Sequence, residues 1–279
     1  GAGAGAGGPP PGCPMHAGPA PATAPDPDRP ACLPAYIAVP WVEVARRLGR
    51  RPGLDYASCV LYNWDRIDRS GPITMANVRL LNRFTGLVDE EWFFKTHIVI
   101  ESEATDVVQA LSRGLDALEG QDPDSLLLAL RALEGALWRV ARVCLPIMFE
   151  RAEGQGALCD YHMFYHRLRR YISGWDLPYE GVTAPGEPLH LSGPSGAMSA
   201  LLPTVDAFLG ISMSNRRLGT LLADFEAYMP VAHAAFIRRV RAKSPSLRAF
   251  VTQVAAGAVA DRPGAGAGAG AGPEQQKGN

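Results

Sequence analysis

The 279-residue sequence is short of the features that usually settle a class at once. Its five cysteines, Cys13, Cys32, Cys59, Cys144 and Cys159, are odd in number and contain no CxxC pair, which argues against a disulfide framework or a structural zinc site. A reducing, cytoplasmic setting is therefore expected. A net charge of −1 with no dense basic run removes the electrostatic footprint of a nucleic-acid binder. The longest apolar segment, Ser125 to Phe149, is interrupted by Arg131, Glu134, Arg139 and Arg142, so it reads as a buried helix and not as a membrane span. No cationic patch precedes an apolar core at the N-terminus, so no signal peptide is expected. No repeat of roughly 20–50 residues is visible, which disfavours an α-solenoid.

What is present divides into three parts. Gly/Ala/Pro runs occupy residues 1–32 and 261–279, and they have too little apolar side chain to offset the entropy of ordering, so both ends are expected to be disordered. Residues 33–260 carry the apolar content of one sizeable domain, and the pattern is helical almost throughout. A short helix is expected over Val42–Leu48 after the breaker Pro40, and a second helical stretch from Asp55. Asp89 reads as the N-cap of a long helix to Leu118, with Phe93, His97, Ile100, Ala104, Val108, Leu111 and Leu115 on one stripe. Asp124 reads as the cap of the Leu-rich helix, and a third long helix is expected from Ala157 to Ser173. The Gly/Pro-rich connection after Gly174 is expected to be irregular. Helices from Ala197 to Leu209 and from Asn215 to Tyr228, and a last pair after Pro230 and Pro245, complete an all-α bundle with no convincing strand ladder.

Four groups of residues carry candidate chemistry. His97 is an imidazole on an apolar stripe with Glu101 one turn further on, within reach of the same face. His162 and His166, spaced i, i+4, have the geometry of paired metal ligands, but Met163 stands where a metalloprotease needs its glutamate. Phe164 and Tyr165 interleave with Arg167, Arg169 and Arg170, a combination suited to gripping a carboxylate beside a flat apolar body. The loop Leu191 to Ala200 opens a helix with Gly and Ser, and matches no nucleotide-binding pattern.

Eight landmarks in order extend over most of residues 33–250: IAVPW at Ile37, YASCVLYNW at Tyr56, DEEWFFKTHIVIE at Asp89, YISGW at Tyr171, LPYEGV at Leu177, GPSGAMS at Gly193, VDAFLGI at Val205 and YMPVAHAAF at Tyr228. Together they resemble the indoleamine 2,3-dioxygenase family, the haem enzymes that open the indole ring. The resemblance implies haem b as cofactor, tryptophan or an indoleamine and O2 as substrates, N-formylkynurenine as product, and a monomer with no membrane or nucleic-acid partner. It implies His97 as the catalytic residue facing oxygen on the distal side of the haem, at a position where vertebrate members carry serine and tryptophan 2,3-dioxygenases carry histidine. Phe93, Phe94, Tyr56 and Cys59 would line the pocket, Phe164 would pack on the indole, and Arg169 would pair with the substrate carboxylate. Ser195, Gly196 and Ala197 would form the loop over the haem edge, and Asp206 would belong to the haem neighbourhood.

The pattern also departs from that family. Its iron is held by a proximal histidine on a late helix, whereas the residues beyond Val251 contain no histidine, so no metal ligand is assigned. Asp206 would then lack the arginine that precedes that ligand. The small N-terminal domain expected before IAVPW has only the low-complexity leader in its place, and GAMSA replaces the usual GAQSS. Three readings stand: an incomplete form of a working haem dioxygenase, an inactive paralogue, and a helical indole-binding module without haem. For this chain as it stands, weak haem binding and little turnover are expected.

Overall fold

The computed structural model describes residues 32–149, 151–152, 156–212, 215–243 and 245–260. Nearly all of the low-complexity leader and the whole tail 261–279 lie outside these described residues. As expected, the domain is all-α in character, with only small two-stranded additions.

Helix α1, Ala35–Leu48, begins about two turns earlier than the proline pattern suggested. Pro40 is accommodated inside it on an exposed face, and the helix ends at Gly49, whose φ of 65° is the left-handed conformation that glycine adopts without strain. A π-helical turn, Ala57–Leu61, then leads into a small hairpin of β1, Trp64–Arg66, and β2, Val78–Leu80. The long helix α2, Val88–Glu119, is favoured at its start by Asp89, Glu90 and Glu91 against the positive end of the helix dipole. Its cap is not Asp89. No side chain bonds at the cap residue Leu87, and the Asp89 carboxylate accepts the backbone N–H of Asp160 instead, at 2.7 Å.

Helix α3, Pro123–Arg139, packs back along α2 after the turn at Gly120–Asp122. Asp122, and not the expected Asp124 that follows it by two positions, caps α3 by accepting from the N–H groups of Asp124 and Ser125 at 3.0 and 3.1 Å, with Pro123 in the first helical position. The Leu-rich segment proves amphipathic and not buried: Leu126, Ala129, Leu133 and Ala136 face α2, while Leu128, Trp138, Val143 and Phe149 are exposed. A π-helical turn, Val140–Cys144, and the short α4, Leu145–Ile147, end it.

The two-residue strands β3, Arg151–Ala152, and β4, Gly156–Ala157, pair before the short α5, Tyr161–Met163. The single helix expected over Ala157–Ser173 is thus cut into α5, a π-helical turn Phe164–Leu168 and a 3₁₀ turn Arg169–Tyr171. The connection expected to be irregular holds a regular hairpin, β5, Trp175–Pro178, paired antiparallel with β6, Pro188–Leu191. Pro178 and Pro188 form one terminal pair of that short ladder, where a missing N–H is tolerated. Then follow α6, Leu201–Leu209; α7, Arg216–Phe225, capped by Asn215; α8, Val231–Arg241; and α9, Leu247–Ala260.

Two large apolar clusters, and a smaller one of Met229, Ala234 and Ile237, hold these elements. One joins the C-terminal half of α2 (Val107, Leu111, Leu118) to α3 (Leu126, Leu133), α6 (Val205, Phe208), α8 (Val240) and α9 (Leu247, Phe250). The other gathers Tyr56, Cys59, Phe94, Ile98, Leu168, Tyr179 and Met198 around the N-terminal half of α2. Candidate chemistry lies mainly with the second. The single stripe expected on α2 is really two offset ones: Phe94, Ile98, Val107, Leu111 and Leu118 are buried, Phe93 and His97 are half-buried, and Val108 is exposed.

Candidate functional site

The site is built around the second and third turns of α2. His97 Nδ1 lies 2.9 Å from the Phe93 carbonyl oxygen, and a carbonyl only accepts, so Nδ1 carries the proton and donates. Burial depresses the His97 pKa, against smaller opposing effects of the Phe93 carbonyl and the Glu101 carboxylate. The ring is therefore neutral near pH 7, with an accepting lone pair on Nε2. That nitrogen faces the loop after β6: a side-chain carbon added at Gly196 would sit 3.9 Å from it.

Aromatic rings surround the imidazole. Phe93 lies 4.5 Å from the His97 ring and 4.6 Å from Phe164, centroid to centroid, so Phe93 bridges α2 and the π-helical turn after α5. Tyr56 presents its edge to His97 at 6.0 Å. Its hydroxyl donates to Glu101 Oε1 at 2.9 Å, and burial followed by the Glu101 charge raises its pKa well above the ordinary value, so the phenol stays protonated. Glu101, read from spacing as a partner for His97, is thus the partner of Tyr56. Cys59 is buried in the same wall, with its thiol pushed up to about 12 by burial and by the charges of Asp55 and Glu90; it is an apolar filler and not a nucleophile.

Local chemistry explains why these groups converge. Asp55, buried and paired with Arg50 at 3.0 Å, accepts from the Ser58 N–H and hydroxyl at 2.7 Å each and so fixes the entry to the π-helical turn carrying Tyr56 and Cys59. Glu90, fully buried, accepts from the N–H groups of Phe84, Thr85 and Gly86 at 2.6, 2.7 and 2.9 Å and from the Thr85 hydroxyl at 2.6 Å. It ties the incoming loop to the start of α2. The loop after β6 is held by Tyr228, whose hydroxyl accepts the Ser192 N–H at 2.8 Å, and by the crossing of Gly193 over Ser173 and Gly174. A side-chain carbon on Gly193 would meet backbone atoms at 2.5 Å, so the crossing requires glycine. Glu90 and Tyr228 were missed from the sequence. A glutamate three residues into a helix after Thr-Gly was the available signal for the first.

The other sequence candidates divide. Phe94 is buried and meets Phe93 edge to face at 5.4 Å, and Ala197 packs half-buried against the same cluster. Ser195 uses its hydroxyl to accept the Ala197 N–H at 3.3 Å. Arg169 is exposed, and its guanidinium enters no ion pair among the described residues. Asp206 lies on α6 beside the first cluster; burial raises its pKa, slightly opposed by Arg241, which itself pairs with Glu226 at 2.5 Å. Among the described residues no group of three or more His, Cys, Asp or Glu side chains converges to hold a metal. His162, His166 and His190 are exposed and His233 is half-buried at the start of α8. A haem iron takes one axial protein ligand, and of the described histidines only His97 stands among Tyr56 and Phe93. No helix among them is long and apolar enough to cross a membrane.

The fold and the side chains define a helical domain with a neutral imidazole set among aromatic rings, and comparison with known proteins gives its lineage. The family model for indoleamine 2,3-dioxygenase matches residues 21–261, and the chain belongs to that family. It is 33% identical to rat indoleamine 2,3-dioxygenase 1 over 229 residues, covering 78% of this chain and 54% of the relative. It is 29% identical to the indoleamine 2,3-dioxygenase of Saccharomyces cerevisiae over 231 residues, covering 74% and 48%. A 6-hydroxytryptophan 2,3-dioxygenase of Fusarium equiseti is 27% identical over 229 residues, covering 79% and 54%. The chain spans about half the length of these relatives.

Proposed function

We propose that this chain supplies the substrate-side wall of an indole-opening dioxygenase, binding tryptophan or a related indoleamine against Phe93 and Phe164. The observation that carries the reading is the accepting Nε2 of His97, held in that state by the Nδ1 bond to Phe93 and open toward Gly196. An accepting nitrogen above an aromatic floor suits the indole N–H, the one strong donor on that ring system. The protein's share is then orientation and exclusion of water. Phe93 and Phe164 stack the ring, His97 receives the N–H, and Arg169, exposed beyond Leu168, takes the carboxylate. Haem is the cofactor that family membership implies, and oxygen activation belongs to it.

The test is calorimetric titration of the purified chain with L-tryptophan and, separately, with indole. Arg169→Ala should weaken tryptophan about 10- to 100-fold while leaving indole unchanged, because a charge-assisted pair is worth about 1.5–3 kcal/mol and indole has no carboxylate. Phe164→Ala should weaken both. Binding of neither ligand would overturn the reading. The exposed positions of His162, His166 and His190 favour a second reading, an indole-binding module without haem. An absorption spectrum after haem addition separates the two: a histidine-ligated spectrum excludes the module, and retained indole binding without any haem spectrum supports it.

A further inference from the structure

A second pair of imidazoles, on the exposed side of the segment that carries Phe164, has no part in the pocket. His162 and His166 lie on successive turns with ring centroids 4.3 Å apart and planes inclined at 47°. Both are exposed. The histidine-ring hydrogen bonds among the described residues are those of His97 and His190, so the nitrogens of this pair are uncommitted there. The segment beneath them is well anchored. Asp160 accepts from the N–H groups of His162 and Met163 at 2.9 and 3.1 Å, and its own N–H donates to Asp89 on α2. Tyr165 packs its ring edgewise on His166 at 5.2 Å and stacks on Tyr161 at 6.1 Å, which restricts where the His166 ring can turn.

We propose that His162 and His166 chelate one divalent d-block cation of the zinc type, with water completing its coordination. Two Zn–N bonds of about 2.0–2.1 Å at a tetrahedral angle bring their nitrogens to roughly 3–3.5 Å, a separation that rings 4.3 Å apart reach by small side-chain rotations. An all-nitrogen donor pair selects such cations over calcium and magnesium, which require oxygen ligands. With Met163 after the first histidine there is no adjacent general base, so the site binds and does not hydrolyse. Arg167, Arg169 and Arg170 follow directly in sequence and keep the affinity below that of a closed structural site. Because Phe164 lies between the two ligands in sequence, a bound cation ties together the turns on either side of the residue that forms one wall of the pocket. Metal occupancy thereby stiffens that wall.

The experiment titrates the full chain, stripped with a chelator, with zinc chloride by calorimetry, with magnesium chloride as control. One saturable zinc event is expected. His162→Ala and His166→Ala should each weaken it about tenfold or more, since removal of a direct ligand costs at least as much as loss of an outer partner. His190→Ala should leave it unchanged. Hydrogen exchange should slow over residues 160–171 on zinc addition in the parent chain and not in the double alanine variant. Both side chains are exposed, so these variants retain the fold, which circular dichroism checks. Zinc binding that is equal in the parent and the double variant, or equal to magnesium binding, overturns the proposal. The measurement uses neither haem nor indole, so its failure is distinct from failure of the pocket reading.

Discussion

Along α2, the turns from Ala104 to Leu118 and those from Glu90 to Glu101 bury their faces by different means. The C-terminal half relies on apolar contact: Val107 and Leu111 are fully buried among leucines, valines and phenylalanines from four other helices. The N-terminal half buries polar groups and satisfies each one, with Glu90 taking four donors, Thr96 bonding back to the Trp92 carbonyl at 2.8 Å, His97 donating to Phe93 and Glu101 accepting from Tyr56. The described residues leave no buried side-chain nitrogen or oxygen without a partner. Apolar packing is non-directional and tolerates small shifts, whereas hydrogen-bonded networks fix orientation. One helix thus carries a stability half and a positioning half. A substitution in the first should lower stability most, and one in the second should alter a specific geometry at smaller cost.

The sharpest test of the first half is Leu111→Ala. It removes a fully buried side chain from a core contributed by several helices, and about 3–4 kcal/mol should be lost, within the range for such truncations. Urea denaturation measures it. Glu90→Gln comes next, at about 2–3 kcal/mol, because an amide keeps one accepting oxygen and sets an NH2 group against N–H donors. If this loss matched or exceeded that of Leu111→Ala, the division of labour along α2 would fail.

This division also explains what was legible in the sequence. The bulk of the helices, including the end of α1 at Leu48 and the start of a helix at Asn215, follow from periodicity and from the local preferences of glycine and proline. The π-helical turns at Ala57–Leu61, Val140–Cys144 and Phe164–Leu168 do not, because one extra residue in a turn leaves the composition unchanged and appears only when packing rewards it. Asp89 and Asp124 were misjudged as caps for a similar reason. Each stands among several acidic residues, and which carboxylate reaches the free N–H groups depends on the incoming chain. For the site, Phe93 and His97 share a face of α2 by their spacing alone, whereas Phe164 comes from a separate element and could be joined to them only by family resemblance. The role of Glu101 was open because His97 and Tyr56 both lie within its reach, and only the approach of the π-helical turn decides between them.

Tyr56→Phe isolates that choice. The ring remains against His97 while the bond to Glu101 is lost, and about 1 kcal/mol of stability should go with it. Glu101→Gln should be close to neutral in the Tyr56→Phe background and costly in the parent, a coupling that a double-mutant cycle reads directly. Additive effects would mean that Glu101 serves another partner.

The smallest effect concerns pH. Burial lowers the His97 pKa from its ordinary 6.5, so below that value the unfolded chain binds a proton that the folded chain refuses. Stability must then fall as pH drops below about 6.5, with a slope of at most about 1.4 kcal/mol per pH unit, and level off once pH passes the folded value. Carboxylates contribute to the same acid limb, so the useful quantity is the difference between the parent and His97→Leu, which lacks the titrating ring. That difference should change between pH 6.5 and the folded value and stay constant above neutrality, as read from urea midpoints at successive pH values. A difference that is flat throughout would mean that His97 is not held neutral. The accepting Nε2, on which the indole contact depends, would then lose its physical basis, because a protonated ring presents donors on both nitrogens.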